Sequence, residues 1–254
     1  MQKHEAKKIL ISNDDGYGAP GVVTLFETLR QDYFCWSALP DRDRSGASQS
    51  LTLHRPIKIT RVDDGIVVEG TPADCVKLSL SGLCDFTPDY VVSGINSGAN
   101  LGTDVLYSGT VAAAMEGLCA GIPALAFSLT GTRYFDTAAY WVGKIMEIII
   151  DFEFPEEVLL NVNIPDIPLN SVKGCKLTRL GRRDFSKNLQ KTSDPRSKER
   201  YWIGLPGEPS DIIEGTDFYA IANSYVSISV LTVGRYSENN QAFSAIIEKL
   251  NPAG

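Results

Sequence analysis

Apolar residues recur along the first two thirds of the chain in two rhythms: short unbroken runs, and longer stretches with a helical period. Residues 8–12, "KILIS", form a run that reads as a buried strand. Val22, Leu25, Phe26 and Leu29 follow at i, i+3, i+4 and i+7, one face of a helix with Pro20 near its opening turn. Further strand-like runs lie at 34–39, 89–93, 123–129 and 158–164, and further helical stretches at 71–81, 109–120 and 138–149. Thr71-Pro72-Ala73-Asp74 has the form of a capping box with proline at the first helical position, and Gly121 stops the helix that starts at 109. Residues 49–69 hold two alternating stretches around Asp63-Asp64-Gly65, the pattern of a hairpin. Strands alternating with helices make right-handed crossovers. The predicted fold is therefore α/β: a Rossmann-like, mostly parallel sheet with helices on both faces.

The texture changes after Pro165. Shorter runs, more glycine and proline, and charge clusters continue to Gly215. Residues 216–229 then read as a short helix into a strand, and 241–250 as a terminal helix. The expected division is a core over 1–165 and a smaller β-rich extension over 166–254, continuous with the core as one structural domain.

Composition narrows the function classes. The chain has 254 residues, 43% hydrophobic and 22% charged, the balance of an ordinary globular protein. Its net charge of −7 disfavours a nucleic-acid polymer as partner. The basic stretch at 179–200 is mixed with Asp184, Asp194 and Glu199 and reads as a solvated face. The five cysteines form no C-x-x-C, and three lie in apolar runs or helical stretches, which suits buried thiols in a reducing compartment. The first apolar run is too short for a signal peptide, and no run approaches the ~18 residues of a membrane span. The expectation is a cytoplasmic protein without a membrane partner.

The segment "SNDDGYGAPG", 12–21, contains a G-x-G-x-x-G in Gly16, Gly18 and Gly21, after a strand and before a helix. Asp41, 20 residues beyond Gly21, stands where a ribose-binding acid would. That is the pattern of an NAD-dependent oxidoreductase. Asp14 and Asp15 oppose it, because two carboxylates beside a pyrophosphate repel it unless a cation intervenes. Helix capping, the structural alternative, accounts for one such side chain and not for two.

Two more loops open on the same sheet edge. "SGINSGANLGTDVLYSGT", 93–110, offers Asn96, Asn100 and Asp104 as oxygen donors, and Ser108-Gly109-Thr110 starts a helix whose N-H groups suit a phosphate. "DRDRSGAS", 41–48, adds a hydroxyl from Ser45 or Ser48. Oxygen donors alone favour Mg²⁺, Mn²⁺ or Ca²⁺. With only His4 and His54, no G-x-S-x-G and no G-x-x-x-x-G-K-[ST], histidine phosphatases, Ser-His-Asp hydrolases and P-loop enzymes are set aside.

The segments "ISNDDGYGAPGV", "PDRDRSGASQSLTL", "GTPADCV" and "SGINSGANLGTDVLYSGTVAAAMEG", in this order, resemble the SurE-type, or stationary-phase survival protein, nucleotidases. "LNVNIPD" and "GTDFYAIANSYVSIS" are similar to later family segments. The resemblance implies a metal-dependent phosphomonoesterase acting on nucleoside 5′-monophosphates, and 3′-monophosphates as a further class. It implies one Mg²⁺ or Mn²⁺ per subunit on Asp14, Asp15, Ser45 and Asn96. It places the phosphate on Asn100, Ser108, Gly109 and Thr110, and makes the first glycine fingerprint a coincidence. Asp14 is the candidate to take a proton from water or to attack phosphorus itself. A C-terminal arm would make homodimer or homotetramer contacts. The rival classes are a non-catalytic nucleotide sensor and the NAD-dependent oxidoreductase.

Overall fold

The structure, a computed structural model, describes residues 7–150, 152, 154–185, 189–193, 198–204 and 206–234. Strand β1 (Lys8–Ser12) runs through the first glycine loop into α1 (Pro20–Leu29), which returns to β2 (Phe34–Pro40). The hairpin β3 (Ile59–Val62) and β4 (Gly65–Val68) precedes α2 (Pro72–Leu78). Then follow β5 (Tyr90–Ser97), α3 (Gly109–Cys119), β6 (Ala124–Leu129), α4 (Phe135–Ile149) and β7 (Val158–Ile164). Beyond them lie β8 (Cys175–Thr178), β9 (Leu189–Ser193), β10 (Glu199–Ile203), α5 (Asp217–Ala222) and β11 (Val226–Thr232).

Among the described residues, nine strands form one sheet in the order β3-β4-β2-β1-β5-β6-β7-β11-β8. The six from β4 to β7 are parallel, while β3 and β11 pair antiparallel at the two flanks. β9 and β10 make a separate antiparallel ribbon. This is the expected α/β architecture with a small β-rich addition. β8 and β11 come after residue 165 yet extend the main sheet, so one sheet serves both stretches of sequence.

Each sheet face has its own core. Ile9, Ile11, Val92, Leu125, Phe127 and Val162 pack under α1 and α4 through Val22, Leu25, Trp141 and Ile145. Leu10, Val91, Ala124 and Leu159 pack under α2 and α3 through Val76, Val111 and Ala114. Strands covered on both sides are apolar at successive positions, which is why they read as unbroken runs. On the α3 side the apolar row Leu10–Val91–Ala124–Leu159 gives way, toward the strands' carboxyl ends, to Ser12, Ser93, Asn161, Ser128 and Asn163, all 0% exposed.

Three expectations are corrected. The hairpin pairs only over 59–62 and 65–68. Ser50 and Thr52 bond instead to the start of α2: Thr71 Oγ1 donates to the Ser50 carbonyl and Thr52 N-H to Asp74 Oδ1. The helix at 71–81 ends at Leu78 and continues as one wide turn through Ser79–Leu83, where Gly82 has φ 120°. The strand at 89–93 runs on to Ser97 through a register shift between Ser93 and Asn96. Gly94, at φ 129°, makes that bulge possible, because a Cβ there would lie 2.3 Å from the Phe127 carbonyl oxygen. The expected helix at 241–250 lies outside the described residues.

Candidate metal and phosphate site

The chain leaves β1 toward β2 on one side and later leaves β5 toward β6 on the other, although β1 and β5 are neighbours. The crevice beyond their carboxyl ends is the topological switch point, where ligands bind in open α/β sheets. Asp14 and Asp15 follow β1, and Asn96 is the next-to-last residue of β5 rather than part of a free loop.

Hydrogen bonds draw the loops together there. Arg44 N-H donates to the Asp14 carbonyl at 2.8 Å, which sets Ser45 beside the first loop. Ser97 N-H donates to Asp15 Oδ2 at 3.1 Å, which sets Asn96 there too. Thr110 Oγ1 donates to Asp14 Oδ1. Gly109 is backed against the same carboxylate: a Cβ on it would stand 2.6 Å from Asp14 Cβ. Ser108 is the N-cap of α3, its Oγ accepting from Val111 N-H at 3.0 Å. Ser45 Oγ donates to Asp43 Oδ1, and Asn96 Nδ2 to the Gly98 carbonyl, which leaves the Ser45 lone pairs and Asn96 Oδ1 as oxygen donors. The structure thus brings Asp14, Asp15, Ser45, Asn96, Ser108, Gly109 and Thr110 to one edge.

Asp14 is 4% exposed. Burial pushes its carboxyl above the ordinary range, hydrogen bonds from Thr110 pull the other way, and the Asp15 carboxylate adds to the rise. Two adjacent carboxylates, one of them buried, are what a divalent cation offsets. The Asn13 Oδ1 atom beside them is also buried and without a hydrogen-bond partner. These residues fit a hard cation with oxygen ligands. Among the described residues no cluster of three or more His, Cys, Asp or Glu stands ready for a metal, so the fit rests on this mixed set.

The two Asp residues do not cap α1. Its N-cap is Ala19, with no side-chain bond, and Pro20 at the first turn has no N-H to give. Packing explains Gly16 and Gly21, and a left-handed backbone explains Gly18. Gly16 sits on the Arg42 backbone, Gly18 takes φ 79°, and Gly21 lets α1 rest on β5, where a Cβ would be 1.8 Å from the Ile95 carbonyl oxygen. Asp41 is held by Arg44 at 2.6 Å.

Asn100 is 6% exposed and more deeply tied than its neighbours. Its N-H donates to Asn163 Oδ1 at 2.8 Å, and its carbonyl accepts from Asn161 Nδ2 at 2.9 Å and Asn163 Nδ2 at 3.0 Å. Its Nδ2 donates to Ser128 Oγ at 2.8 Å. Asp104, a candidate oxygen donor, is instead paired with Arg183 at 2.8 Å.

A family model described as "Survival protein SurE" matches residues 9–187. The chain belongs to the SurE family. Among solved structures, the SurE protein from Aquifex aeolicus is 40% identical, with a TM-score of 0.83 over 95% of this chain and 99% of that one. Of the motifs that carried the resemblance, those at 11–22, 40–53 and 93–117 hold the loops that meet at the switch point.

Sequence reasoning missed four members of this neighbourhood: Ser128, Asn161, Asn163 and Asp217. The signal for the asparagines was present in "LNVNIP", where amides interrupt a run otherwise fit for a fully buried strand. Asp217 is 0% exposed and accepts from Gly102 N-H at 2.6 Å and Gly181 N-H at 2.8 Å. Nothing local distinguishes it from a helix-capping acid.

Proposed function

We propose that this chain is a phosphomonoesterase that needs a divalent metal and releases phosphate from nucleoside 5′-monophosphates, with 3′-monophosphates as a second substrate class. Family membership supports phosphoester hydrolysis. The observation that carries the reading is the first turn of α3 packed directly on the buried Asp14 carboxylate, so that a helix N-terminus and a carboxylate pair share one crevice.

Asp14, Asp15, Ser45 and Asn96 would hold one Mg²⁺ or Mn²⁺, which when bound supplies positive charge and Lewis acidity toward a phosphoryl oxygen. Gly109 N-H, the Ser108 hydroxyl and the Asn100 amide would bind the remaining phosphoryl oxygens, while Thr110, whose hydroxyl is spent on Asp14, would hold that carboxylate beside them. These donors stabilise the charge that develops in the transition state, a role worth several kcal/mol. Asp14 takes the proton of the attacking water. A cleft of about 620 Å³ opens beside Ser108, with Ser48, Gln49, Val105 and Met115 on its walls, and is large enough for a nucleoside. A cytoplasmic location belongs to the same proposal; no helix among the described residues is long and apolar enough to cross a membrane. Association as a homodimer or homotetramer belongs to the same proposal.

The test is phosphate release from a panel of 5′- and 3′-nucleoside monophosphates, with Mg²⁺, Mn²⁺ or EDTA, for wild type and Asp14→Asn. Turnover that requires metal, and that EDTA and the substitution both abolish, is the expected result. Folded protein that binds nucleotide with metal yet never turns it over is a sensor instead.

A further inference from the structure

Asn161 and Asn163 are an anomaly that the chemistry above does not use. Both are fully buried at the carboxyl end of β7, and Ser128 is fully buried beside them on β6. Buried amides cost stability relative to the valine or leucine these strands otherwise carry, unless every polar atom is engaged. Nearly every one is, and they converge on a single residue, Asn100.

The pairing is specific. The Asn163 side chain makes both halves of a backbone-like pair with one residue, accepting from Asn100 N-H and donating to Asn100 C=O. It does for the Asn100 loop what a neighbouring strand's peptide would do, where no strand exists. Asn161 gives the same carbonyl a second donor. Ser128 Oγ accepts from Asn100 Nδ2. An amide nitrogen carries two hydrogens, so one N-H of Asn100 stays free while its direction is set by the other. The register ties this to the other half of the site. Asn96, Ser128 and Asn163 stand in one row across β5, β6 and β7.

We propose that Asn163, assisted by Asn161 and Ser128, is a positioning residue that holds Asn100 with one amide N-H aimed at the bound phosphoryl group. This rests on Asn100 being a phosphate-binding residue, as in the function proposed above. Asn163 acts through Asn100 and touches neither substrate nor metal. Its loss therefore weakens phosphate binding and leaves metal binding alone.

The experiment measures the dissociation constant of inorganic phosphate by calorimetry in the presence of Mn²⁺, and that of Mn²⁺ separately. The proteins are wild type, Asn163→Ala, Ser128→Ala, Asn100→Ala and the double variant Asn100→Ala/Asn163→Ala. Asn163→Ala is expected to weaken phosphate at least tenfold and Ser128→Ala, the milder change, about threefold, with Mn²⁺ affinity within twofold of wild type. In the Asn100→Ala background the Asn163 change should add less than twofold, because the lever no longer has anything to move.

Equal losses in both backgrounds, or parallel losses of Mn²⁺ and phosphate, overturn the positioning role. Unchanged phosphate affinity in both Asn163→Ala and Ser128→Ala overturns it as well. Should Asn163→Ala not fold, Ser128→Ala decides the matter by the same criteria. Phosphate affinity unchanged in Asn100→Ala, or absent in wild type, would instead remove Asn100 from the phosphate pocket and the proposal with it.

Discussion

Asp74 shows how a single carboxylate can serve a site it does not touch. Its two oxygens accept from Thr52 N-H at 2.9 Å and Thr71 N-H at 2.8 Å, closing the capping box of α2. Burial alone would raise its pKa, but these hydrogen bonds outweigh it and the carboxyl titrates below its ordinary value. The next residue of that turn, Pro72, lies against Gly109 at the head of α3: a Cβ on Gly109 would be 3.0 Å from Pro72 Cγ. Asp74→Ala should therefore cost about 1–2 kcal/mol in urea denaturation. A depressed carboxyl contributes stability that is present above its unfolded pKa and is lost as pH falls through the folded value. Wild type should thus lose more stability than Asp74→Asn as pH is lowered below the carboxylate range. Equal acid sensitivity of the two would mean that the capping bonds contribute nothing.

At the scale of elements, helix α3 is the decisive piece. Its first residue is glycine, a poor helix former, where alanine would raise intrinsic helicity by about 1 kcal/mol. The site explains the choice, since an alanine Cβ would collide with Asp14 Cβ at 2.6 Å and Asp14 has no room to retreat. Gly109→Ala should accordingly lower phosphate release at least tenfold while the protein keeps its fold by circular dichroism; full activity would show that α3 does not abut the reacting centre. The same scale shows what was legible in advance. β1, β2, β6 and β7 were readable because strands covered on both faces are continuously apolar, and α1 and α4 because each buries one stripe. Residues 49–58 alternate like a strand, yet the Ser50 carbonyl and the Thr52 N-H are claimed by Thr71 and Asp74, partners about 20 positions away. Asp14, Asp15 and Ser108-Gly109-Thr110 were legible because each is a short contiguous motif beside a strand or helix end. Ser128, Asn163 and Asp217 were not, because their meaning lies in pairings 28, 63 and 115 residues apart.

At the scale of the molecule, the sheet edge is assembled from both ends of the chain. The loop from Asn100 to Thr110 carries half of the candidate site. The extension pins its middle: Asp217 accepts from Gly102, Gly181 and Phe218 N-H groups at 2.6, 2.8 and 2.8 Å. Arg183 pairs with Asp104 and lies 4.8 Å over the Phe218 ring. That ring in turn leaves room for nothing larger than glycine at 102, where a Cβ would lie 2.7 Å from it. Strands β8 and β11 hold this clasp against β7, the strand that positions Asn100. The loop from Asn100 to Thr110 is thus held at Asn100 by β7 from within the core and at Gly102 and Asp104 by the extension. Asp217→Asn keeps the shape but turns an N-H₂ toward one of the three donors. It should cost on the order of 3 kcal/mol and lower the melting temperature by roughly 6–12 °C. Phosphate release should fall with it, while the Mn²⁺ concentration for half-maximal activity stays unchanged, since the proposed metal ligands lie outside this loop. Thermal denaturation and a Mn²⁺ titration of activity on one preparation measure both. A fall in melting temperature with turnover intact would confine the clasp to stability and leave the ordering of the loop to β7 alone.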